Sequence, residues 1–113
     1  MELGIRSLLR EKEILMSLPE DRRVFIKTGR LAVEATRDEA LELIERKLKE
    51  AERLLKDALE KIQAAFRALA EMDEARFKQL AAEIGLLIGV IPQSRQDLEA
   101  LEKAIQEELA LLS

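Results

Sequence analysis

Apolar residues change their period along this chain, and each change marks an element. Between residues 3 and 17, Ile5, Leu8, Leu9, Leu15 and Met16 share one helical face; Lys12 interrupts the stripe and has to snorkel out of it. Leu18-Pro19-Glu20-Asp21 then closes this short amphipathic helix, because a residue before proline is pushed out of the α region. From Val24 to Ala35 the period drops to two on either side of Gly29-Arg30, which predicts a β-hairpin. A two-residue loop with glycine first fits a type II′ turn and pairs Thr28 with Leu31, Ile26 with Val33, and Val24 with Ala35. That register gives one apolar face, while Phe25, Lys27, Ala32 and Glu34 form a mixed one.

Thr36 followed by Glu39 is a capping-box pattern and predicts the start of a long helix over about residues 37–72. Within it Leu41, Ile44, Leu48, Ala51, Leu55, Ala58, Ile62, Ala65 and Leu69 keep the alternating three-four spacing of a coiled-coil seam. Glu42 to Arg46, Glu45 to Lys49, Glu52 to Lys56 and Asp57 to Lys61 are acid-first i,i+4 pairs, each adding roughly 0.2–0.5 kcal/mol when exposed. Such a helix would be ~54 Å long against ~35 Å for a compact sphere of this chain length, so an elongated molecule is expected. A lone helix buries little. Its seam therefore calls for cover from the first helix, the C-terminal segments or another chain.

Asp73 is placed to cap a third helix over about residues 74–88, with Phe77, Leu80, Ala81, Ile84, Leu87 and Ile88 on its apolar side and Gly89 and Pro92 ending it. Ser94 and Asp97 open a last helix over about residues 94–112, carrying Leu98, Leu101, Ile105, Leu109 and Leu112. The expected fold class is mainly α: an antiparallel helical coiled coil or bundle with one β-hairpin, forming a single domain over residues 1–113. Ala81, Gly85 and Gly89 make a small-residue stripe that suits close helix approach, although a helix-ending glycine or local flexibility would explain it as well. Leu86, Leu87, Ile88, Val90 and Ile91 are apolar on nearly all sides. They belong either to a core, the reading favoured here, or to an exposed adhesive patch. The hairpin needs a layer beneath it, since two isolated strands are marginal in water. Cover by the first helix and strand addition from another subunit satisfy that need equally.

Composition narrows the chemistry. Of 113 residues 48% are hydrophobic and 37% charged, which fits long helices rather than a disordered chain. Histidine, cysteine, tyrosine and tryptophan are absent, removing imidazole bases, thiolate nucleophiles, disulfides and the usual transition-metal ligands together. The expectation is a non-enzyme with no cofactor, no metal site and no catalytic residues. A net charge of −4 offers no general attraction for phosphate backbones or anionic lipid, so neither nucleic acid nor membrane is the expected partner. Arg22, Arg23, Lys27 and Arg30 form a basic cluster near the hairpin, but Glu20, Asp21 and Glu34 lie close by as ion partners. The N-terminus mixes Glu2, Arg6 and Arg10 with its apolar residues, and the longest apolar run is far shorter than a bilayer span of ~20 residues. A cytoplasmic location is expected.

The sequence Val24-Phe25-Ile26-Lys27-Thr28-Gly29-Arg30-Leu31-Ala32-Val33-Glu34-Ala35-Thr36, entered through Leu18-Pro19-Glu20-Asp21-Arg22 and followed by Asp38-Glu39-Ala40-Leu41, resembles the β-type hairpin and helix opening of a prefoldin subunit, over about residues 18–66. The resemblance implies an ATP-independent holding chaperone whose hairpins join into an oligomeric β-barrel body and whose coiled coils grip unfolded clients. In that family the first helix matches the second in length, whereas here it has about 15 residues, and this chain restarts after Pro92 where the family would end. The last two helices are accordingly expected to fold back onto the seam left bare by the short first one.

The functional expectation is a prefoldin-like holdase or assembly protein binding unfolded or partner polypeptides within a homo- or hetero-oligomer. Val24, Ile26, Leu31 and Val33 would form the subunit interface, and Leu86, Leu87, Ile88, Val90 and Ile91 a partner-binding surface. The alternative is a helical oligomerisation or adaptor protein without client binding. Retention on DNA or RNA through the basic cluster is not expected.

Overall fold

A computed structural model describes residues 4–113. In chain order the elements are α1 (Ile5–Met16), β1 (Arg23–Thr28), β2 (Leu31–Thr36), α2 (Arg37–Ala70), α3 (Glu74–Ile88) and α4 (Arg95–Leu111). The fold is mainly α, with four helices and one antiparallel hairpin among the described residues. Glu2 and the expected helix start at residue 3 lie outside the described residues. The chain divides into two compact units, Gly4–Glu50 and a second one that includes Ala51–Ser113, with α2 contributing to both.

In the first unit α1 ends where its carbonyls are taken up locally: the Ser17 N–H donates to Glu13 and Ile14, and the Ser17 hydroxyl to Ile14. The hairpin follows in the expected register, with Thr28 opposite Leu31, Ile26 opposite Val33 and Val24 opposite Ala35. Gly29 has φ 58° while Arg30 is not in the positive-φ region, the pattern of a type II′ rather than a type I′ turn. Lys12, the expected interruption of the α1 stripe, meets Glu45 of α2 at 2.5 Å, so its snorkelling ends on a carboxylate. Glu45 is thereby engaged across the helices, in place of the expected pair with Lys49. The Arg37 guanidinium donates to the Leu18 carbonyl at 3.0 Å, tying the chain between α1 and the hairpin to the start of α2.

Thr36 and Glu39 form the expected capping box. The Thr36 hydroxyl accepts from the Glu39 N–H and the Glu39 carboxylate accepts from the Thr36 N–H, both at 3.1 Å. The Glu39 carboxyl is held below its ordinary value of 4.5, chiefly by the Thr36 backbone N–H and then by the Thr36 side chain. Desolvation opposes the shift, and the Arg23 charge adds a smaller pull downward. Because the folded value is the lower one, the cap contributes fully above the ordinary carboxylate range and is lost as pH falls through the folded value. Thr36→Ala is expected to cost about 1 kcal/mol at neutral pH. Glu39→Gln should flatten the acid limb of a urea-midpoint-against-pH curve; an unchanged limb would mean that the cap does not form.

The α2 seam is buried from Ala40 through Ile44, Leu48, Ala51, Leu55, Ala58, Ile62 and Ala65 to Ala68, while Leu41 and Leu69 at its expected ends are half-buried. Glu42–Arg46 and Glu52–Lys56 pair as expected. Asp57 instead takes Arg53, and Lys61 reaches Glu83 on α3. Longer-range partners outcompete the local ones where a second helix supplies them.

In the second unit α3 and α4 both meet the C-terminal half of α2. Lys61 faces Glu83 at 3.6 Å, Gln63 donates to Glu102 of α4, and the Arg95 guanidinium stands 5.9 Å from the centre of the Phe66 ring. The last two helices do fold back on the long one. The turn that reverses α2 differs from the expected run to residue 72: the Asp73 N–H reaches back to the Ala68 carbonyl and the Met72 N–H to Leu69, a Schellman closure with Met72 at φ 58°. Asp73 also caps α3 by accepting from the Arg76 N–H, so one residue finishes a helix and starts the next. Methionine is a poor residue for the left-handed region, and Met72 is 88% exposed with no core role to lose. Met72→Gly is therefore expected to raise stability by about 1 kcal/mol, read as a higher urea midpoint at unchanged slope.

Gly89 ends α3 at φ 76°, as the helix-ending reading of the small-residue stripe expects. Gly85 has a different use: a Cβ there would lie 2.5 Å from Ile91 Cγ1, so the glycine makes room for the Ile91 side chain as the chain turns back. Pro92 is fully buried, and Ser94 caps α4 by accepting from the Asp97 N–H.

Candidate functional site

The hairpin is thinly covered. Ala35 is buried and Val24 and Ile26 are half-buried, but Leu31 is 69% and Val33 54% exposed on the same face. Strand pairing brings all four expected interface residues onto one surface, and burial divides them by strand: Val24 and Ile26 of β1 are half-buried, Leu31 and Val33 of β2 are bare. Phe25, on the opposite face, is 72% exposed. Its alternation with Val24 and Ile26 was readable, but the sequence did not say that neither face would be sealed.

Beneath the hairpin root lies a groove of about 370 Å³. Its walls are Glu11, Ile14 and Leu15 of α1, residues 24–27 of β1, and Ala40, Leu43, Ile44 and Lys47 of α2. Sequence periodicity gave no hint of this space, because it depends on how α1, β1 and α2 lie against one another; Ile14 and Met16, at the C-terminal end of α1, are exposed by 55% and 62%. Its lining is mainly apolar and includes the charged residues Lys27, Lys47 and Glu11. No group of side chains able to hold a metal ion occurs among the described residues.

The second expected surface is split by the end of α3. Ile88 is buried, Leu87 half-buried, and Leu86, Val90 and Ile91 are exposed by 88%, 38% and 59%. The favoured core reading therefore holds for Ile88 and not for Leu86, Val90 or Ile91: a 15-residue helix packed on one side cannot bury residues spaced right round it. No family model, curated protein or solved structure matches this chain. The site has to be read from its own chemistry.

Of the basic cluster, Arg23 approaches Glu34 across the hairpin at 3.7 Å, the ion-partner arrangement weighed in the sequence. Among the described residues no helix is long and apolar enough to cross a membrane.

Proposed function

We propose that this protein is an ATP-independent, prefoldin-like holdase or assembly protein of the cytoplasm that binds unfolded or partner polypeptides and works as an oligomer. The observation that carries the reading is the pair Leu31 and Val33, large apolar side chains left in water on a two-stranded element too small to be stable without further cover. A second subunit's hairpin placed on that face would bury them. Leu86, Val90 and Ile91 provide a separate apolar surface suited to non-native segments.

A helical oligomerisation or adaptor protein without client binding is the second reading. It is favoured by one observation: Leu55, Ala58, Ile62 and Ala65 are completely buried in the C-terminal half of α2, so that stretch of seam offers nothing for a client to grip.

Light scattering from a chemically unfolded model protein, diluted into buffer without nucleotide, separates the two. A holdase suppresses aggregation at near-equal molar ratios. Aggregation at the uncatalysed rate, with this chain present in excess, would leave only the adaptor.

A further inference from the structure

The groove beneath the hairpin contains a feature that an ordinary apolar cleft lacks. It touches four consecutive residues of β1, Val24, Phe25, Ile26 and Lys27, although their side chains alternate between opposite faces. The groove therefore borders the backbone of β1 as well as the side chains of one face. In a two-residue hairpin the pair that closes the turn exchanges both of its hydrogen bonds, and paired positions then alternate. Thr28, Ile26 and Val24 therefore turn their peptide groups toward β2, while Lys27 and Phe25 turn theirs outward, away from β2 at the free edge of a strand that lines the groove. Among the described residues neither Phe25 nor Lys27 has another backbone partner, and neither Lys27 nor Lys47 is held in an ion pair.

The geometry points to strand addition: the groove takes an extended, apolar polypeptide segment with acidic flanks, which pairs with the outer edge of β1. Its peptide groups bond those of Phe25 and Lys27, its inward side chains rest on Leu15, Leu43 and Ile44, and its acidic ends meet Lys27 and Lys47. Four strand residues give about 13 Å of ladder, enough to hold a short segment in register. Glu11, the one acidic residue of the groove, disfavours acidic side chains toward α1 and leaves the lysine-bearing side for them. A second copy's β1 is a poorer occupant, because it would set its own Arg22, Arg23 and Lys27 against these lysines. The inference rests on the reading of the protein as a polypeptide binder and assigns it a site and a binding mode.

Fluorescence anisotropy with the full chain and a labelled peptide of alternating valine and threonine, flanked by glutamates, tests this. Exchanging the flanking glutamates for lysines should weaken binding about tenfold, and N-methylation of one alternate set of peptide amides should weaken it at least as much while the other set is tolerated. Phe25→Pro removes an outward N–H without touching the ladder to β2 and should lower affinity about tenfold, whereas Phe25→Ala keeps that N–H and should bind. Equal binding of the acidic and basic peptides, or indifference to both N-methyl sets, overturns the inference. So does a Phe25→Pro variant that binds peptide normally but changes the solution mass, which would make the edge a contact between copies. Aggregation suppression that persists without peptide binding overturns the groove alone; peptide binding without suppression overturns the holdase alone.

Discussion

Replacing Ile62 with alanine is expected to lower the unfolding free energy by about 3 kcal/mol, a large fraction of what a domain of this size has. The magnitude follows from where the side chain sits. Lys61 on one side of it reaches α3 and Gln63 on the other reaches α4, so the position between them, 100° from each around the helix, points into the space shared by all three helices. Ile62 is completely buried there. Truncation removes apolar burial and leaves a void that neighbouring helices close only partly. Leu86→Ala is the control, since Leu86 is 88% exposed and its loss should stay within about 0.5 kcal/mol. Urea unfolding of both variants measures the difference; equal, small effects would mean that α3 and α4 do not pack on α2 as described.

The double substitution Leu31→Lys with Val33→Lys has the opposite signature. Both side chains are exposed and cross-strand from Thr28 and Ile26, so the isolated chain should keep its helical circular dichroism and nearly its full stability. Association through this face is another matter, because two ammonium groups would then have to be desolvated at the contact. A cost of about 3 kcal/mol or more is expected, which weakens self-association at least a hundredfold. Ile26→Lys is a less clean probe, as the half-buried Ile26 also lines the groove and its loss would disturb the hairpin root.

Elements whose residues all serve one period were legible in the sequence. The hairpin register followed from alternation plus the glycine-first loop, the start of α2 from Thr36 and Glu39, and the end of α3 from Gly89. The seam from Ile44 to Ala65 was likewise plain. What the sequence hid depends on distances between elements. Lys12 and Glu45, or Lys61 and Glu83, choose one another only once the helices are side by side. The αL closure at Met72 breaks the usual preference for glycine, so no local signal marks it. The groove is hidden for the same reason: Leu15, Ile26 and Ile44 each read as part of an apolar face, and the space between them depends on how α1, β1 and α2 come together. Burial of Ile88 beside an almost bare Leu86 reflects the helix face that each residue occupies, which an unbroken apolar run does not encode.

The exposed Leu31 and Val33 of β2 are the feature from which self-association is inferred, and the unmodified chain tests it most directly. Light scattering coupled to size-exclusion chromatography, repeated over a wide range of loading concentrations, should return a mass that is a multiple of the single chain and that falls toward one chain only on strong dilution. A mass of one chain at every concentration, with Leu31 and Val33 still reactive to solvent-borne carbene footprinting, would contradict the account.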